Sequence, residues 1–125
     1  MKILLVEDSP VNQLVTSALL ETIGVEHSVV DNGLLAFDLL INDKQHDIGL
    51  ILMDCYMPLL NGFKASKLIR RGYADADHKI TPIVALTGNS DEEVKLMCLE
   101  AGMNGFLSKP VDPEELGSTI HTLMR

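Results

Sequence analysis

The sequence of 125 residues is short of cysteine and of long apolar runs, and each shortage excludes a class of protein. Its two cysteines, Cys55 and Cys98, lie far apart and lack the spacing of metal ligands, so we expect neither metal binding by these cysteines nor a disulfide. No apolar stretch approaches the ~20 residues that a transmembrane helix needs. The opening MKILLVED lacks the apolar segment and cleavage site of a signal peptide. We therefore expect a cytoplasmic protein without membrane contacts.

Basic residues are scarce as well. Lys and Arg number 10 against 18 Asp and Glu, and no basic block offsets the net charge of −8. Because binding to a phosphate backbone needs such blocks, nucleic acid is not expected as a direct partner. Hydrophobic residues make up 46%, and no repeat or interdomain linker is visible, so residues 1–125 are expected to form one domain.

Strand-like and helix-like patterns alternate along the chain. The apolar runs that predict strands are residues 3–6, 28–30, 48–53, 83–86 and 106–107. Between them lie stretches with helical periodicity, and the first has a helical stripe made of Val11, Leu14, Val15, Ala18 and Leu19. Capping boxes are predicted to start later helices at Ser90 and Asp112. Helix ends are predicted before Gly24, Gly72 and Gly102.

Five consecutive βα units predict an α/β fold. The expected architecture is a single-domain, doubly wound (βα)5 three-layer sandwich around a parallel sheet. The strand order 2-1-3-4-5 is taken from a common class of doubly wound folds rather than deduced from these residues. With that order, the chain reverses direction between strands 1 and 3, and ligands bind at their carboxyl ends.

Polar side chains follow the predicted strands at the edge where such ligands bind. Glu7 and Asp8 follow the first strand and Asp54 the third, while Thr87 and Lys109 follow the fourth and fifth. Three converging carboxylates repel one another unless a cation joins them. Oxygen ligands of this kind favour Mg²⁺, which is commonly bound by one or two carboxylates and a phosphate. The cluster therefore predicts a divalent cation with a phosphoryl group beside it.

Four motifs carry a family resemblance. VED at 6–8, MDCYMPLLNG at 53–62, ALTGN at 85–89 and LSKP at 107–110 together resemble the receiver domain of two-component response regulators. The resemblance covers the whole chain and implies a flavodoxin-like fold. VEDSPVNQ and GMNGFLSKP look more like receivers of hybrid histidine kinases.

The resemblance assigns a role to each acidic residue. It implies that Asp54 accepts a phosphoryl group from the phosphohistidine of a kinase or phosphotransfer domain. Asp8 and Asp54 would bind Mg²⁺ (or Mn²⁺) with the backbone carbonyl of Tyr56, and Glu7 would contribute through a bound water. The protein would then be a phosphoacceptor rather than an enzyme, one that assists its own phosphorylation and autodephosphorylation.

The resemblance also implies a switch. Thr87 and Lys109 would contact the phosphoryl oxygens, and Phe106 would follow Thr87, changing the surface of helix 4, strand 5 and helix 5 for a downstream protein or effector domain. Tyr56 and Asn89 would border the entrance and set the rate of dephosphorylation. The Lys109-Pro110 bond is predicted to be cis, since a tight turn there aims Lys109 into the site.

Other interpretations stay open at this point. Glu7 and Asp8 are also typical of residues that cap a first helix, and Phe106 could be a static core residue. A Mg²⁺-dependent phosphohydrolase uses similar chemistry, but such enzymes typically carry a second Asp two positions after the nucleophile, where this chain has Tyr56. A receiver-like binding module without phosphorylation usually lacks an acidic or lysine position, and all are present here. The four histidines show no ligand spacing, and no chemistry is predicted for them.

Overall fold

A computed structural model of the chain describes residues 1–88 and 91–124. The five strands are β1 (Lys2–Val6), β2 (His27–Val30), β3 (Ile48–Asp54), β4 (Ile83–Thr87) and β5 (Gly105–Ser108). The five α-helices are α1 (Pro10–Ile23), α2 (Gly33–Ile41), α3 (Gly62–Arg70), α4 (Glu92–Glu100) and α5 (Pro113–Leu123). A short 3-10 helix, Ala76–Ile80, precedes β4 and was not predicted from the sequence.

The strand order is β2-β1-β3-β4-β5, and every neighbouring pair is parallel, which confirms the predicted fold. Strand residues alternate between two hydrophobic layers, as the period of two in a strand requires. Ile51 and Met53 face the layer covered by α2, α3 and α4. Leu50 and Leu52 face the layer covered by α1 and α5.

The helix predicted from the first apolar stripe is confirmed as α1, but most of that stripe lies on the surface. The buried side of the helix carries Thr16 and Leu20, and Leu19 packs against the core. The exposed members of the stripe are Val11, Leu14, Val15 and Ala18. Periodicity identifies the apolar face of a helix but not whether a sheet covers it.

The first turns of α1 are held by polar contacts instead. The side-chain amide of Gln13 donates to the carbonyl oxygen of Glu7 at 2.6 Å and to Asp31 Oδ1 at 2.8 Å. Ser9 caps the helix by accepting a hydrogen bond from the backbone N–H of Asn12. These bonds fix the first turns of α1 beside the carboxyl ends of β1 and β2.

Several predicted boundaries are confirmed. Asp112 accepts a hydrogen bond from the backbone N–H of Glu115 at the start of α5. The glycines predicted to follow helices, Gly24, Gly72 and Gly102, all have positive φ. Ser90, the other predicted cap, lies outside the described residues, and Asp91 occupies the N-cap position of α4. None of the helices described for residues 1–88 and 91–124 is long and apolar enough to cross a membrane.

Candidate functional site

The carboxyl ends of β1 and β3 bring three acidic side chains together. Val6 is paired with Met53 in the sheet, so the residues after them emerge side by side. One oxygen from each of Glu7, Asp8 and Asp54 lies within 4.8 Å of the other two. Glu7 and Asp54 are buried, whereas Asp8 is exposed. The cluster thus has an open side toward solvent and a closed side toward the sheet.

Lys109 reaches this cluster from β5. Its Nζ lies 2.8 Å from Glu7 Oε1 and 3.2 Å from Asp54 Oδ1. The Lys109-Pro110 peptide is cis, as predicted. Burial alone would lower the pKa of Lys109, but its hydrogen bond to Glu7 and its attraction to Asp54 raise the pKa above the ordinary lysine value. The side chain is therefore a fixed positive charge at the closed side of the cluster.

The carboxyl group of Asp54 has a strongly shifted pKa. Burial and the neighbouring carboxylates of Glu7 and Asp8 together raise the pKa from 3.8 to about 7, although the charge of Lys109 opposes the rise. The charge of one lysine does not compensate three carboxylates. A small cation among the three oxygens would supply the missing positive charge.

The donor set fits Mg²⁺. Carboxylate oxygens at this spacing are hard ligands, and the exposed Asp8 leaves room for the waters that Mg²⁺ retains. The backbone N–H of Tyr56 donates to Asp54 Oδ1 at 3.2 Å, which orients the Asp54 carboxylate within the cluster. The residues present could therefore hold the cation that the sequence predicted.

The turn after β3 keeps α3 close to the cluster. The backbone N–H of Gly62 donates to the carbonyl oxygen of Cys55 at 3.0 Å. A side chain at position 62 would collide with the backbone carbonyl of Asp54, so only glycine allows this approach. Asn61 caps α3 by accepting a hydrogen bond from Lys64 N–H. Cys55 is a buried free thiol, as is Cys98.

Thr87 and Phe106 lie on the same face of the sheet. Ala85 is paired with Phe106 and Thr87 with Ser108, so these four side chains point into one layer. Thr87 is buried, and Phe106 is half-buried against the core cluster of that layer. The Nζ of Lys95 on α4 lies 4.9 Å from the centre of the Phe106 ring. Thr87 and Phe106 therefore lie in the same layer, on neighbouring strands.

Tyr56, which the sequence predicted at the entrance, follows Asp54 by two residues, and its side chain is exposed. Its ring meets the edge of Phe63 with a centroid separation of 5.7 Å. Asn89, the other residue predicted at the entrance, lies outside the described residues. Two supporting residues were not predicted from the sequence: Gln13, which holds the loop of Glu7, and Phe63, which supports Tyr56. An uncharged amide and a core aromatic residue carry no sequence signal of such roles.

Comparisons with known proteins agree with this geometry. The family model of the response regulator receiver domain matches residues 3–121. The osmosensing histidine protein kinase SLN1 of Saccharomyces cerevisiae is 41% identical over 124 residues, covering 95% of this chain and 10% of that protein. The peroxide stress-activated histidine kinase mak1 of Schizosaccharomyces pombe is 35% identical over 122 residues, covering 98% of this chain and 7% of that protein. The chain thus spans a tenth or less of these two kinases.

Solved structures give the same result. The receiver domain of the sensor histidine kinase PA1611 from Pseudomonas aeruginosa, with a magnesium ion in its active site cleft, superposes with a TM-score of 0.86 at 38% identity, covering 98% of this chain and 95% of that one. The receiver domain of Ssk1 from Saccharomyces cerevisiae, in complex with the histidine phosphotransfer protein Ypd1, gives a TM-score of 0.83 at 28% identity, covering 99% and 88%. The chain belongs to the response regulator receiver domain family of two-component signalling.

Proposed function

We propose that this receiver domain accepts a phosphoryl group on Asp54 from a phosphohistidine, in a site that holds Mg²⁺ (or Mn²⁺). The observation that carries the proposal is the buried carboxyl of Asp54 between two further carboxylates and the amine of Lys109. The charge excess of that cluster suits a cation, and its open side admits a phosphoryl donor.

In the proposed reaction, an oxygen of Asp54 attacks phosphorus in line with the P–N bond. As the new P–O bond forms, the P–N bond breaks and its electron pair returns to the donor imidazole. Lys109 favours the charged form of the Asp54 carboxylate against the effect of burial, and it then stabilises the negative oxygens of the phosphoryl group. A bound Mg²⁺ would neutralise further charge on those oxygens. Water later cleaves the acyl phosphate and resets the domain.

Labelling with acetyl phosphate tests this function. One phosphoryl group per chain should be added with Mg²⁺ and none with EDTA, as measured by intact mass. Reduction of the acyl phosphate with borohydride should map the group to Asp54. Absence of labelling, or labelling at another residue, would overturn the proposal. Turnover of small phosphate esters would instead favour a phosphohydrolase, and failure to bind Mg²⁺ would favour a binding module.

The exposed apolar patch of α1 supports a phosphotransfer protein as donor partner. Val11, Leu14 and Val15 are 68%, 74% and 46% exposed, on the helix that begins two residues after Asp8. A contiguous apolar patch beside a reactive group is typical of a protein docking surface. A histidine kinase or phosphotransfer domain seated there would place its phosphohistidine near Asp54.

We expect Leu14→Arg to slow phosphoryl transfer from phosphorylated Ypd1 about fivefold or more, since a residue central to an interface contributes more than about 1 kcal/mol. Labelling by acetyl phosphate should not change, because no docking is needed. Leu99→Arg is the matched control, since Leu99 is 68% exposed on α4 in the other layer. Equal transfer rates for Leu14→Arg and Leu99→Arg would contradict docking on α1.

Thr87→Ala is expected to accept phosphate but lose most of the phosphorylation-induced change around Phe106. The metal ligands and Lys109 carry the transfer, whereas the Thr87 hydroxyl would report the phosphoryl group to its layer of the core. NMR shifts of α4 and β5 before and after labelling measure the change, and Thr87→Ser should restore it. Matching shift changes in Thr87→Ala and the parent chain would refute this division of roles.

Tyr56→Ala is expected to speed autodephosphorylation several-fold while leaving Mg²⁺ affinity intact. The exposed ring, supported by Phe63, obstructs the approach of water in line with the P–O bond, and the backbone carbonyl remains in the variant. An amide such as Asn89 is not a general base near neutral pH. Tyr56→Phe should keep the slow decay of labelled protein; unchanged or slower decay in Tyr56→Ala would count against shielding.

A further inference from the structure

A second cluster of metal-ligating side chains lies at the opposite edge of the sheet. His46, Asp75 and Asp77 each offer one ligand atom, and these atoms lie within 4.8 Å of one another. His46 lies between α2 and β3, and the two aspartates lie at the 3-10 helix before β4. Since β3 begins here and ends at Asp54, its length separates the two clusters by about 20 Å.

The distance between the ligand atoms of His46 and Asp77 is close to that found in a metal site. His46 Nε2 lies 2.8 Å from Asp77 Oδ2. In a tetrahedral zinc site with bonds of about 2.0–2.2 Å, neighbouring ligand atoms lie about 3.3 Å apart, so a shift of about half an ångström admits the ion. Asp75 Oδ1 accepts a hydrogen bond of 3.0 Å from the backbone N–H of Asp77, which holds the Asp75 carboxylate beside the backbone of Asp77.

A buried network holds the two segments in place beside this cluster. His78, which is 1% exposed, has Nδ1 at 2.8 Å from Thr81 Oγ1 and Nε2 at 3.2 Å from Asp43 Oδ2. Asp43 also accepts hydrogen bonds of 3.0 Å from the backbone N–H groups of Asp47 and Ile48. The ligand atoms are therefore brought together by contacts that need no metal.

Charge and space also favour a cation. Residues 42–47 and 75–80 contain four aspartates against two lysines. His46 and Asp77 line a cleft of about 300 Å³, and their side chains are 48% and 66% exposed, so an ion can enter from solvent. The histidines, to which no sequence pattern assigned chemistry, meet the aspartates only through the fold.

We propose that His46, Asp75 and Asp77 bind one Zn²⁺ ion, with water completing its coordination. An imidazole with two carboxylates suits Zn²⁺, whereas Mg²⁺ and Ca²⁺ select all-oxygen sites. Bound zinc would join the connection before β3 to the 3-10 helix before β4. This site is independent of phosphorylation at Asp54.

Calorimetric titration with ZnCl₂ in excess Mg²⁺ tests the site, since Mg²⁺ competes at the receiver cluster. One Zn²⁺ per chain should bind, and His46→Gln and Asp77→Asn should each weaken binding at least tenfold. His121→Gln, which removes an exposed histidine of α5, and Asp54→Asn should bind as the parent does. Binding that is non-saturable, insensitive to His46→Gln or lost in Asp54→Asn overturns the proposal.

A second measurement needs no variant. In imidazole ¹⁵N spectra of the parent chain, added Zn²⁺ should shift the Nε2 signal of His46 and leave those of His27 and His121 in place. Excess Mg²⁺ alone should leave all three unchanged. A zinc response at His27 or His121 without one at His46 would show binding elsewhere on the surface and exclude the proposed site.

Discussion

An Asp54→Asn variant is expected to be more stable than the parent chain by about 2 kcal/mol at pH 8 without divalent cations, although it accepts no phosphoryl group. Asp54 is 4% exposed, and its pKa is raised from 3.8 to about 7 by burial and by the carboxylates of Glu7 and Asp8. This rise in the pKa corresponds to at most about 4 kcal/mol of folding free energy. The expected gain is smaller, because the amide that replaces the carboxylate is also buried and still costs desolvation energy.

The sign of the pH dependence follows from the raised pKa. The folded chain binds the Asp54 proton more tightly than the unfolded chain, so this group's contribution to stability is intact below pH 4 and is lost as pH rises toward about 7. The advantage of Asp54→Asn should therefore be largest at pH 8 and smaller at pH 5. Urea unfolding in EDTA at both pH values measures it.

Added Mg²⁺ should reverse the order, because only the parent chain keeps the full ligand set and gains stability from binding. Asp38→Asn is the matched control, since it removes an exposed carboxylate of α2 outside the cluster. An Asp54→Asn variant that is less stable than the parent at pH 8 without cations would show that the carboxylates do not repel as described.

Lys109→Met is expected to lose about 3 kcal/mol of stability at pH 8 without cations. The side chain is 18% exposed and pairs with Glu7 and Asp54, so its removal leaves two buried carboxylates without a counter-charge. The loss should be smaller at pH 5, where Asp54 takes up a proton. Phosphorylation by acetyl phosphate should also slow strongly, because the variant lacks the charge that we propose to stabilise the phosphoryl oxygens.

A double-mutant cycle separates the electrostatic part of this stability loss from the loss of side-chain packing at Lys109. Asp54→Asn combined with Lys109→Met should lose less stability than Lys109→Met alone, since the repelling carboxylate is absent. Lys67→Met, at an exposed lysine of α3, controls for the loss of a positive charge. Equal losses from Lys109→Met in the parent and in Asp54→Asn would contradict the proposed coupling.

The sequence predicted the strands and the acidic cluster well because both depend on local patterns. Continuous apolar runs mark parallel strands buried on both faces, and the residue that follows each run must lie at the sheet edge. Glu7, Asp54 and Lys109 were therefore predicted together although they are distant in sequence, and the structure brings them within hydrogen-bond distance.

The exposed face of α1 and the His46 cluster could not be predicted in the same way. The apolar stripe of α1 has the spacing of a core-facing helix, and only the position of the sheet shows that Leu14 lies outside. His46 and Asp77 meet because the connection before β3 folds beside a 3-10 helix whose residues have no strong periodicity. Contacts between irregular segments depend on tertiary structure that no local pattern encodes.

The division of the core into two layers affects when the partners of this domain can bind. Helix α1 covers one side of the sheet, while α4 and the ring of Phe106 belong to the other. Helix α5 shares the side of α1, but a phosphoryl donor seated on α1 would leave α4 uncovered, so a partner that contacts α4 could bind before the donor departs. Binding of the phosphoryl donor and binding of the downstream partner would then overlap in time, and the domain would hold both partners at once.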